Sequence, residues 1–150
     1  MMRVAVAAVL LFATETVAYA QVAVSDPWVR ATVPAQHATA AFMQLKAAND
    51  MRLVAASSPV AGTVEIHEMA MANGVMKMRA IPGLDLPAGR PVTLDPGGYH
   101  VMLLDLKMPI RAGDTVPLVL VFEGRDKQRT TISVKAQARP IADSPATMMH

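Results

Sequence analysis

Short apolar runs rich in Val, Ile, Leu and Thr alternate along the chain with Pro and Gly, and no long window sustains a helical period. This punctuation predicts strands over Ala23–Thr32, Ala40–Ala47, Arg52–Ser58, Thr63–Met71, Gly74–Ile81, Arg90–Leu94, Tyr99–Leu104, Thr115–Phe122 and Arg129–Gln137. The last two flank Glu123-Gly124-Arg125-Asp126 and read as a hairpin. Many short strands with frequent turn signals predict an all-β sandwich or barrel.

The first residues follow a different pattern. Arg3 precedes an apolar run from Val4 to Ala13, and Ala18-Tyr19-Ala20 fits a small-x-small cleavage site. Residues 1–20 therefore read as a secretory signal peptide cut after Ala20, too short in its apolar part to span a bilayer. No later segment is long enough to span either. The expected organisation is a leader over 1–20, one domain over 21–139 and a tail over 140–150. The absence of cysteine removes the lipobox of a lipoprotein, and with it thiolate metal sites, cysteine catalysis and dithiol redox work. A net charge of +2 leaves no basic patch dense enough for nucleic acid. No nucleophile elbow, triad context or phosphate-cradling loop is present, so the chain is not expected to be an enzyme.

One count stands out. The chain holds 12 methionines against 4% aromatic residues. Several of them lie in Glu65-Ile-His-Glu-Met-Ala-Met-Ala-Asn-Gly-Val-Met-Lys-Met-Arg-Ala80. Asn73-Gly74 is a strong signal for a two-residue hairpin turn. That turn sets Met71 opposite Met76, Met69 opposite Met78 and His67 opposite Ala80. Alternation then puts His67, Met69, Met71, Met76 and Met78 on one face. The other face supports the register, because Glu68 meets Arg79 as an opposite-charge pair. A packed apolar face is the plain alternative, since methionine fills core gaps. His67 weighs against it, because an imidazole within an apolar face needs a partner. His100 and Met102, two apart in a second β run, also share a face.

Two imidazoles and at least two thioethers can converge if these segments lie side by side. Such neutral, soft donors favour Cu(I). Zinc prefers thiolate, imidazole and carboxylate, and calcium and magnesium want oxygen. A blue-copper site needs a cysteine that this chain lacks. Of the remaining residues, Trp28 and Met43 are read as packing residues and His37 as solvated. Met108 is read as a possible exposed neighbour of the site.

The spacing His67-x10-Met78-x21-His100-x-Met102 resembles the signature of the PCu(A)C family of periplasmic copper chaperones. Flanking stretches such as Asp26-Pro-Trp-Val-Arg30, Val64-Glu-Ile-His-Glu68 and Leu94-Asp-Pro-Gly-Gly-Tyr-His-Val-Met102 are similar too. The resemblance implies a cupredoxin-like Greek-key β-barrel binding one Cu(I) through His67, Met78, His100 and Met102. It implies an exported periplasmic monomer that delivers copper to an acceptor. That acceptor would be the CuA centre of cytochrome c oxidase subunit II or another copper chaperone. Met69, Met71 and Met76 are additional thioethers near the same face, and Met148-Met149-His150 is read as a frayed end. Two other readings stay open: a periplasmic copper-sequestering protein for tolerance, and a metal-free sandwich whose methionines form a sticky recognition patch.

Overall fold

The structure, a computed structural model, describes residues 21–140. The signal peptide expected over 1–20 and Met148-Met149-His150 lie outside the described residues. Every regular element described is a strand: β1 Val22–Arg30, β2 Thr39–Ala47, β3 Met51–Ser57, β4 Ala61–Ala72, β5 Val75–Ala80, β6 Leu84–Leu86, β7 Val92–Leu94, β8 His100–Leu106, β9 Thr115–Gly124 and β10 Arg129–Arg139. No helix among the described residues is long and apolar enough to cross a membrane.

Period-two burial explains why these segments form strands. In β9, Val116, Leu118, Leu120 and Phe122 are buried while their neighbours face outward. In β2, Ala41, Met43, Leu45 and Ala47 do the same. These residues join Leu53, Ile66, Leu86, Val101, Leu103 and others in one apolar cluster, so the domain rests on a single core.

The strands form one sheet in the order β5-β4-β8-β2-β1-β10-β9-β3-β6, with β7 also paired to β2. The first and last strands, β1 and β10, run parallel. The other pairings are antiparallel. The sheet curls until β3 packs against β4, which encloses the core.

The strands predicted from sequence are present, with three adjustments. β6 was not among them, because Pro82-Gly83 and Pro87 leave only three residues between breakers. The run Arg90–Leu94 shortens to Val92–Leu94, since Pro91 has no N–H to give a ladder. β5 starts after Gly74, which belongs to the turn.

A bulge in β1 prepares the outer wall. Ser25 pairs with Gln44 and Trp28 with Phe42, so β1 carries one residue more than β2 between these pairs. Asp26, at φ 48°, takes up the extra residue next to Pro27. The shift turns Trp28 and Arg30 onto the outer face with Phe42 and sends Val29 into the core. Trp28 and Phe42 stack at 4.6 Å between ring centroids.

Candidate metal centre

The β4–β5 hairpin has the register expected from its turn. Met71 pairs with Met76, Met69 with Met78, His67 with Ala80 and Glu68 with Arg79. Asn73 and Gly74 both have positive φ, 51° and 78°, as a type I′ turn requires. On the face opposite the methionines, the Arg79 guanidinium donates to Glu68 Oε1 at 2.6 Å.

The strand next to β4 is β8, which brings the second motif to the first. His67 lies directly opposite His100, and Glu65 opposite Met102. The two imidazole rings are 5.5 Å apart. On the other side of β8, Ala40 of β2 pairs with Met102. The small side chain of Ala40 lines a hollow over this face. A cleft of about 210 Å³ opens there, lined by Met69, Met78, His100 and Met102 with Phe42 and Arg30 as its far wall. Pro96 and Gly97 of the preceding turn close one end.

The tautomer of each histidine follows from its hydrogen bond. His100 Nδ1 lies 3.1 Å from the Gly98 carbonyl, which can only accept, so Nδ1 carries the proton. The turn that aims this carbonyl depends on Gly97, whose φ of 98° suits glycine. His67 Nε2 lies 2.7 Å from Glu65 Oε2, so Nε2 carries the proton there. The remaining nitrogens, His100 Nε2 and His67 Nδ1, are buried with no hydrogen-bond partner. A buried polar atom left unpaired is costly. Two such lone pairs on adjacent strands beside thioethers suit a soft metal ion. The His100 pKa is lowered, chiefly by burial. The Gly98 hydrogen bond opposes that shift, and repulsion from Arg30, and from His67 should it also protonate, adds to it. A lowered pKa keeps the ring neutral and able to bind.

Of the expected set, Met78, His100 and Met102 line the cleft, and His67 stands beside it on β4, its ring 5.5 Å from that of His100 and outside the cleft lining. His100 is buried at 4% exposure, while Met78 is open to solvent at 52%. Met69 lines the same cleft, as an additional thioether was expected to. Met71 and Met76 lie further out, towards the turn. Met108 is exposed past the end of β8 and does not line the cleft. Glu65 is the residue that sequence reasoning missed. Its place two before His67 puts it on the same face, which was the available signal. A larger hollow of about 450 Å³ lies between β3, β6 and the β9–β10 turn. Its walls carry ion pairs, Arg52 with Asp85 and Arg125 with Asp50, and no imidazole.

Known proteins share this architecture. Residues 22–135 match the family described as "Putative lipoprotein LpqE-like". "Putative lipoprotein Lxx21020" from Leifsonia xyli subsp. xyli is 35% identical over 117 residues, spanning 76% of this chain and 69% of the relative. The apo PCuAC domain from PmoF1 is similar with a TM-score of 0.61 and 25% identity, covering 79% of this chain and 95% of that domain. The solution structure of CuI-DR1885 from Deinococcus radiodurans has a TM-score of 0.55 and 32% identity, covering 77% of this chain and 78% of that one. With that match over most of its length, and with a cupredoxin-like PCuAC fold in its structural neighbours, the chain belongs to the LpqE-like family.

Proposed function

We propose that this protein is a copper chaperone whose cargo is Cu(I), held by His67 Nδ1, His100 Nε2 and the thioethers of Met78 and Met102. The observation that carries this reading is the pair of buried, proton-free ring nitrogens left without partners beside methionine sulfurs. The copper-bound state of a relative with the same fold supports it. Thioethers bind without losing a proton, and Cu(I) tolerates three- or four-fold coordination. Met78 is the exposed member of the set. An acceptor's ligand can displace it first and take the ion stepwise.

Anaerobic titration against a Cu(I) chelator tests the site. The expected result is one tightly held ion, with affinity reduced by roughly a hundredfold in the Met78→Leu, Met102→Leu double variant. Equal affinity in the variant would overturn the assignment.

The delivery step extends the same reading. Residues 1–20 direct export to the periplasm and are removed, and the mature protein gives copper to the CuA centre of cytochrome c oxidase. The lipoprotein description of the family supports export. Mixing the copper-loaded protein with the soluble CuA-bearing domain of the oxidase should develop the CuA absorption. Copper that stays put in that mixture would favour sequestration instead.

A further inference from the structure

The outer end of the β4–β5 hairpin is not needed for the cleft, yet it carries thioethers in a regular array. Met71 and Met76 are directly opposed, and Met69 stands two residues before Met71 on the same face. Directly opposed side chains have Cβ atoms about 4.5–5.5 Å apart, and diagonal ones stay within reach of long side chains. Met71 and Met76 are 68% and 50% exposed. The opposite face of the same hairpin holds Glu68, Lys77 and Arg79, which keep the outermost strand soluble. An added Cβ at Gly74 would meet nothing within 4 Å, so the turn stands clear of the barrel. Hydrophobic burial therefore does not account for Met71 and Met76. They are too exposed to fill a core, and their shared chemical property is soft, neutral sulfur.

We infer that the hairpin end forms a second metal site, built only from thioethers, in which Met71 and Met76 with Met69 bind a soft monovalent d¹⁰ ion such as Cu(I). This rests on the Cu(I) reading of the neighbouring cleft. The second site lacks imidazole and is open to water, so it holds the ion more weakly than the cleft does. Binding involves no redox step and no proton release, because thioethers carry no proton to lose.

The test is a Cu(I) titration of the full chain under anaerobic, reducing conditions, with methionine methyl groups labelled for NMR. Chelator competition is run beside it. The wild-type chain should take a first equivalent that moves the Met78 and Met102 methyl signals. A second equivalent, weaker by roughly tenfold or more, should move those of Met71 and Met76. In Met71→Leu, Met76→Leu the second equivalent should vanish while the first is unchanged. Leucine keeps the apolar surface and removes only the sulfur. Loss of the second equivalent in that variant therefore separates metal binding from a role in protein docking. Saturation of the wild type at one equivalent, or a second equivalent that survives in the variant, would overturn this site and leave the cleft intact. Failure of the wild type to bind any copper would overturn the chaperone reading and this site together.

Discussion

A histidine binds a metal through a bare ring nitrogen, and the group held by the other nitrogen decides which one is bare. Here a backbone carbonyl holds His100 and the Glu65 carboxylate holds His67. Each leaves its free nitrogen buried. The two devices differ in their consequences. A carbonyl two residues away comes with the turn and survives any substitution that keeps the turn. A carboxylate is a side chain that can be removed. The buried state of His100 also has a thermodynamic signature. Burial, as the largest cause, holds its pKa below the ordinary 6.5. On acidification the unfolded chain takes up this proton first, so the unfolded state binds more protons within the window between the two values. The contribution of His100 to stability is complete above the ordinary histidine pKa and is lost as pH falls through it towards the lower folded value. Denaturant midpoints of the metal-free protein should drop as the pH falls below the ordinary histidine pKa. The drop should be smaller in His100→Gln. An identical drop in both proteins would show that His100 does not contribute.

At the scale of elements, the hairpin and the bulge perform separate tasks. The bulge at Asp26 and Pro27 builds the outer wall by turning Trp28 and Arg30 outward. The hairpin presents sulfur. Its turn requires positive φ at Gly74, and no neighbour restricts that position sterically. Gly74→Ala should therefore carry only the backbone penalty of a left-handed residue, about 1 kcal/mol. The loss should be confined to the hairpin, because β5 pairs with β4 alone. Amide exchange in β5 should speed up by about fivefold while the global unfolding midpoint hardly moves. A uniform loss of protection across the core strands would refute that local picture. The register of this hairpin was legible in the sequence because turn type and period-two alternation are both local. β6 was not legible, because three residues between proline-containing turns carry no period.

For the whole molecule, the site depends on one long-range pairing. β4 and β8 are hydrogen-bonded neighbours although β5, β6 and β7 come between them in the chain. A metal ion joining His67 to His100 would tie these strands together and bind only the folded state. Cu(I) at about a hundred times its dissociation constant should then stabilise the fold by about 2.7 kcal/mol. Thermal unfolding should shift upward on loading and return when a Cu(I) chelator is added. An unfolding temperature indifferent to copper would mean that the ion does not bridge the two strands.

The amino-acid order carried the strand pattern and the hairpin register, because each depends on alternation or spacing within a short reach. It also carried the choice of soft donors, since the absence of cysteine and the abundance of methionine are matters of composition. It did not carry the meeting of His67 with His100 across β4 and β8 except through family resemblance, because pairing between distant strands is set by how the whole sheet closes around its core. Nor did it carry the grip of Glu65 on His67 or the bare, buried nitrogens. Which ring atom carries a proton, and whether water reaches it, depends on neighbours that only the folded sheet assembles.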